Sequence, residues 1–273
     1  MNEFKFMRAA TLADAAAAFE KADDARYLAG GQTLLPVMKQ GLAVPSDVIS
    51  LTRIGELAGI AVSMERIDIG AMTRHADVAV HKEIRALLPA LSVLAGGIGD
   101  PHVRNRGTIG GSLANNDPAA DYPAAVLGLG ATIVTDERTI AAEHYFQGLF
   151  ATALEPGELI TRVEFPVPRR AGYVKFPHPA SRYALVGVMV SDGPHGIRVA
   201  VTGAGAGVFR VPAMEQALAK SFTPEAIADI PIADADLTSD RHGSAAYRAH
   251  LVGVLARRAV TLAASPAMHG HRS

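Results

Sequence analysis

Two glycine pairs stand out in this chain as residues whose type and spacing could do chemistry. One lies in Ala29-Gly30-Gly31-Gln32-Thr33, the other in Thr108-Ile109-Gly110-Gly111-Ser112. Paired glycines let a backbone turn through positive φ, the conformation expected at Gly111, and let a ligand come close to the main chain. Their N–H groups, with the flanking Thr and Ser hydroxyls, can form a nest for an anion. The downstream pair sits within Gly96–Pro123, a stretch holding six Gly, three Asn, three Asp and two Arg. That stretch reads as a long surface loop. Loops beyond about 12–15 residues are uncommon and mostly functional or disordered, and Ile109, Leu113 and Tyr122 are apolar anchors that speak against disorder. Either Gly-Gly alone fits an ordinary tight turn more often than a phosphate contact. Two of them, about eighty residues apart, could clamp one pyrophosphate from two sides.

Other motifs carry less. Thr202-Gly203-Ala204-Gly205-Ala206-Gly207 follows a strand, but its spacing is not that of a dinucleotide fingerprint, and too little chain follows for the rest of a Rossmann sheet. It reads as a Gly-rich crossover. The histidines are scattered, with no H-E-x-x-H or comparable cluster, so no metal site is expected. No G-x-S-x-G elbow is present. Asp117 and Asp121 lie near the start of an expected helix, where the macrodipole favours acids. Arg104 and Arg106 can balance a ligand's charge or tie the loop to Asp100. No catalytic acid or base is evident.

Composition narrows the class. With 49% hydrophobic and 19% charged residues over 273 positions, the chain is expected to fold around a sizeable core. A net charge of −1 gives no case for nucleic acid or an anionic membrane. There is no cysteine, hence no disulfide, no thiol chemistry and no Cys-ligated iron–sulfur cluster in this chain. The N-terminus does not read as a signal peptide. No apolar run is long enough to span a bilayer. A cytoplasmic protein without a transmembrane segment is expected.

The elements that must position the glycine loops follow from pattern. Glu3–Met7 alternates as a strand, and Thr11–Asp14 looks like a capping box for a helix reaching Ala22. A strand at 25–28 leads into the first glycine turn, a short helix runs to Gln40, and Val48–Leu51 is a strand. Gly59–Ser63 and Arg66–Ala71 read as a hairpin, with Thr73 capping the next helix. Glu83–Leu94 is helical, split or kinked at Pro89. Pro118–Gly128 is an expected helix with Pro123 as its weak point. Strands are expected at 131–135, 139–142 and 159–165. After the break Pro166–Arg170, strands at 173–176, 184–190 and 197–201 and helices at 212–220, 223–228 and 244–261 make a three-stranded sheet backed by helices. The tail Ser265–Ser273 reads as frayed.

AGGQT, then GAMT at Gly70–Thr73, then DPHVRNRGTIGGSLANNDPAADYPA, together resemble the FAD-binding medium subunit of the molybdenum hydroxylases. Aerobic carbon monoxide dehydrogenase and the bacterial xanthine and nicotinate-type dehydrogenases belong to that family. The resemblance covers essentially the whole chain, through Glu155–Ile160, Ser181–Ala184 and His242–Arg248. It implies an α+β architecture: a two-subdomain PCMH-type FAD-binding fold (1–52 and 53–168), followed by a small C-terminal domain (169–273). It implies non-covalent FAD, with the pyrophosphate between Ala29, Gly30, Gly31, Gln32 and Thr33 on one side and Thr108, Ile109, Gly110, Gly111 and Ser112 on the other, and with Leu34 also among the cofactor-binding residues. The isoalloxazine would lie toward Ala71, Met72, Thr73, Leu159, Ile160 and Tyr183, and Asp121, with Asp117 nearby, would reach the flavin's polar portion. Relatives often carry basic residues before a Gly-Asp-Tyr; this chain has Phe176–Arg182 instead, with His178 in the loop. The implied partners are a large molybdopterin-binding subunit, a small iron–sulfur subunit holding [2Fe-2S] clusters, and an external electron acceptor. The molybdenum cofactor would sit in the partner only. Two other readings stay open: a self-contained FAD-dependent oxidoreductase, and a cofactor-free scaffold of the same fold.

Overall fold

The computed structural model describes residues 2–265; the expected fraying of the tail lies outside these residues beyond Ser265. Three strands, Lys5–Arg8, Asp47–Ser50 and Ala25–Leu28, form a parallel sheet with Asp47–Ser50 in the middle. The helix Leu12–Glu20 crosses between the first two strands in sequence. It opens on the expected capping box: Thr11 Oγ1 accepts from Asp14 N, and the Asp14 carboxylate accepts from Thr11 N, each at 3.1 Å. The sheet's far end delivers the chain into Ala29–Thr33, which leads into the short helix Leu34–Lys39.

A five-stranded antiparallel sheet follows, in the order Ile60–Val62, Arg66–Gly70, Ile160–Pro166, Thr132–Thr135, Thr139–Ala141. Its buried side packs Ile67, Ile69, Ile133, Val163 and Phe165 against helices carrying Leu91, Leu94, Ile109, Leu113 and Val126. Pro89 ends one helix, Lys82–Leu87, and starts the next, Pro89–Gly96, where a missing N–H costs nothing. Pro123 does the same for Tyr122–Leu129; far from being a weak point, it lies in the first turn of a helix buried at every position.

The glycine-rich stretch is not one long loop. It contains the helices Pro101–Arg104 and Ile109–Asn115, each with a side-chain cap: Asp100 accepts from Val103 N and Thr108 from Gly111 N. Gly110 and Gly111 therefore sit in the first turn of a helix, and the positive φ expected at Gly111 is absent. Asn116, at φ 43°, ends that helix in the left-handed conformation.

The C-terminal sheet has its three long strands, Arg170–Pro177, Ala184–Gly193 and Gly196–Thr202, and a short fourth one at Phe209–Arg210 that sequence reading passed over. The strand Ala184–Gly193 is apolar from Ala184 to Val190 because both faces are covered. Val186, Val188 and Val190 pack with the helices Pro212–Lys220 and Ala245–Ala264, whereas Met189 joins the core shared with Tyr122–Leu129. A Cβ built on Gly128 would lie 2.7 Å from Met189 Cγ, and Ser191 Oγ donates to the Gly128 carbonyl at 2.6 Å. The last sheet is thus packed into the second one's core, which fixes its loops beside the glycine-rich segment.

Candidate cofactor site

A cavity of about 970 Å³ runs between the three sheets, at the upper end of the range for small-molecule sites. Of the residues expected to bind, Ala29–Leu34, Ala71, Met72, Thr108, Gly110, Gly111, Ser112, Asp117, Asp121, Leu159, Ile160 and Tyr183 all line it. Two do not. Ile109 is fully buried in the core. Thr73 lines a smaller neighbouring recess and does not cap its helix: its hydroxyl donates to the Gly59 carbonyl (2.9 Å) and accepts from Gly59 N (3.0 Å).

The two glycine loops touch through backbone. A Cβ on Gly30 would lie 2.2 Å from the Arg106 carbonyl oxygen; separately, Gly110 packs on the end of the strand Arg66–Gly70, where a Cβ would lie 2.6 Å from Ala71 Cβ. Gly31, at φ +74°, makes the turn. The loops differ in what they offer an anion. Around 108–112 the N–H groups are engaged: Ile109 donates to Thr73 O, Gly110 to Ala71 O, Gly111 to Thr108 Oγ1 and Ser112 to Thr108 O. The N–H groups of Gly30, Gly31, Gln32, Thr33 and Leu34 find no acceptor among the described residues. Main-chain donors rarely stand idle in a concave site, so the first loop is the one built to receive an acceptor group.

Asp121 is only 4% exposed and is already engaged. Its carboxylate accepts from the Tyr173 hydroxyl at 2.5 Å and from Lys175 Nζ at 2.9 Å. Burial raises the Asp121 carboxyl above the usual range, opposed by the Lys175 ammonium and the two hydrogen bonds. Lys175 Nζ also donates to Gly97 O (2.8 Å) and Arg182 O (2.9 Å). Sequence reading missed Lys175; the signal was a lone cation in the apolar strand around Tyr173-Val174. Arg104 ties its own loop, through the Ile98 and Gly99 carbonyls and not through Asp100. Tyr183 is half-exposed on the cavity wall, and burial together with Asp117 and Asp121 raises its hydroxyl. His75, also missed, lines the cavity and is buried with its Nδ1 lacking any partner. Burial, helped by Arg104, lowers its imidazole to about 4, so it is neutral. At the end near Leu159, Glu158 is locked by Arg138 through two 2.9 Å hydrogen bonds, which hold its carboxyl at about 2. Among the described residues no group of three metal-ligating side chains comes together.

The comparisons agree with this geometry. Residues 2–168 match the model of the FAD binding domain in molybdopterin dehydrogenase, and residues 175–263 that of the CO dehydrogenase flavoprotein C-terminal domain. The chain belongs to this family of FAD-binding molybdopterin dehydrogenase chains. It is 36% identical to the carbon monoxide dehydrogenase medium chain of Afipia carboxidovorans, over 95% of this chain and 96% of that one. It is 33% identical to the glyceraldehyde dehydrogenase medium chain of Sulfolobus acidocaldarius, over 94% and 97%. The solved carbon monoxide dehydrogenase from Hydrogenophaga pseudoflava superposes with a TM-score of 0.88 at 34% identity, covering 96% of this chain and 97% of that one. The cavity's volume and its unpartnered main-chain amides fit the FAD of the family.

Proposed function

We propose that this chain is the electron-transfer subunit of a heteromeric molybdenum hydroxylase, holding FAD non-covalently in the cavity described above. In that role it carries electrons from [2Fe-2S] clusters of a small subunit to an external acceptor, while a large molybdopterin subunit holds the substrate. The observation that carries this reading is the row of idle N–H groups from Gly30 to Leu34 at a cavity between both matched family regions. FAD supplies the redox chemistry when bound; the chain's residues bind and orient it. The first loop would take the pyrophosphate, and Asp121, neutralised by Lys175, would shape the wall without adding net charge. The chain is read as three portions, 1–52, 53–168 and 169–273, contributing one wall each. A cytoplasmic setting is compatible with the chain's having no cysteine, and among the described residues no helix is long and apolar enough to cross a membrane.

Purified alone, the chain is expected to show a flavin spectrum, to contain no stoichiometric iron or molybdenum, and to reduce no dye with an aldehyde, a purine or an N-heterocycle. Adding both partner subunits restores turnover. Steady oxidation of such a substrate by the lone chain would make it a self-contained oxidoreductase instead. A colourless protein after FAD addition would make it a scaffold. Neither glycine loop contains a His, Cys or Tyr able to form a covalent flavin link, so acid precipitation is expected to leave the yellow colour in the supernatant. Colour retained in the pellet defeats the non-covalent assignment.

A further inference from the structure

Phe150 holds a bulky side chain in a conformation that bulky residues avoid. Its φ is +52°, in the left-handed region, where a side chain with a Cβ is strained. The residue is 57% exposed, lines the large cavity and belongs to none of the three apolar clusters. Core packing therefore does not hold it in place. The hairpin that carries it, Phe146–Gly148 with Ala151–Thr152, is pinned from outside. Asn116, itself 2% exposed, donates through Nδ2 to the carbonyls of Gly148 (2.9 Å) and Ala151 (2.7 Å), on the two sides of the tip. A buried amide thus fixes the backbone around a strained, half-wet aromatic. Strain of this kind persists where the surrounding structure over-determines it, and it clusters at ligand sites.

The cavity that Phe150 lines holds other aromatic and apolar side chains. Phe19 and Tyr27 stack with centroids 4.9 Å apart and line the same space, as does Leu154. Flat rings between such walls gain from stacking as well as from burial. We infer that Phe150 is a positioning residue whose ring covers an aromatic ring of the bound dinucleotide, and that Asn116 clamps the hairpin to hold it there. This rests on the FAD reading above. Adenine and isoalloxazine share the chemistry, and the experiment separates them.

The test uses the full chain with Phe150→Ala, Phe150→Gly and Phe150→Tyr, reading the FAD dissociation constant, the FAD dissociation rate and the melting temperature without ligand. Phe150→Ala and Phe150→Gly are expected to weaken FAD by roughly tenfold through faster dissociation, the scale of one stacked aromatic contact. Phe150→Tyr retains binding within about twofold. Glycine relieves the left-handed strain that alanine keeps, so ligand-free Phe150→Gly melts no lower than Phe150→Ala while binding FAD equally poorly. A purely structural role for Phe150 would couple the two readouts instead. A parallel loss of ADP affinity places the stacked ring at adenine; loss of FMN affinity with ADP unchanged places it at the isoalloxazine. Wild-type FAD affinity and dissociation rate in Phe150→Ala overturn the inference while leaving the FAD reading intact. A wild-type chain that binds no FAD overturns both.

Discussion

Gly30→Ala and Gly110→Ala chains are expected to lose flavin binding, whereas Gly111→Ala keeps most of it. At position 30 the new methyl lies 2.2 Å from a backbone carbonyl oxygen, and at position 110 it meets Ala71 Cβ at 2.6 Å and Ala71 O at 2.8 Å. Neither obstacle is the far end of a flexible side chain, so the first loop must part from the backbone at 106–107, or the helix Ile109–Asn115 from Ala71. Forced overpacking costs about 1–3 kcal/mol, and each 1.4 kcal/mol withdrawn from binding is about tenfold in affinity. Losses of up to about a hundredfold in FAD affinity follow, with a lowered melting temperature. At Gly111 the added methyl meets Thr108 Oγ1 at 3.0 Å, in a helix where alanine is favoured over glycine by about 1 kcal/mol. Titration of the ligand-free proteins with FAD, alongside thermal melts, decides the matter. A Gly30→Ala protein with wild-type affinity and melting temperature would show that the loops do not act as one unit.

Stability is expected to fall as the pH drops from about 6.5 to about 4, and His75 is the reason. Its imidazole is lowered from 6.5 to about 4 by burial and by Arg104. In the unfolded chain it takes up a proton below 6.5; in the native chain it resists until about 4. The unfolded state binds more protons across that window, so stability rises with pH there and is lost on acidification, up to about 3 kcal/mol. Glu158, held at about 2 by Arg138, adds a loss of the same sign only below its ordinary 4.5. Asp117 and Asp121, raised by burial, act in the opposite direction. The difference between wild type and His75→Gln removes both contributions. Urea unfolding at pH 7, 6 and 5 should show the wild type weakening more steeply than the variant. Parallel pH profiles would mean that the imidazole is protonated in the fold.

What could be read in the sequence was whatever depends on near neighbours. The Thr11 box, the helix break at Pro89 and the hairpin at 59–71 follow from a few adjacent residues, and each is present. The glycine pair at 110–111 misled because glycine is a poor helix former, although Asp100 and Thr108 stood in place as caps. The reason for Gly110 is Ala71, thirty-nine residues away, and no local rule contains it. Thr73 looked like a cap until the fold brought Gly59 to its hydroxyl. Asp121 looked open to a ligand because its partner Lys175 lies fifty-four residues on. Phe150 gave no signal at all, since left-handed backbone is normally announced by glycine or asparagine.

The ammonium of Lys175 joins a helix end at Gly97, the carboxylate of Asp121 and the loop carbonyl of Arg182. Those groups leave the ribosome at very different times. At about 5–20 residues per second, Gly31 emerges roughly 8 to 30 seconds before Tyr183. Throughout that interval the nascent chain has the proposed phosphate loop but an unfinished cavity, with one wall not yet made. On the proposed site, the FAD cavity would therefore close only after Tyr183 has emerged.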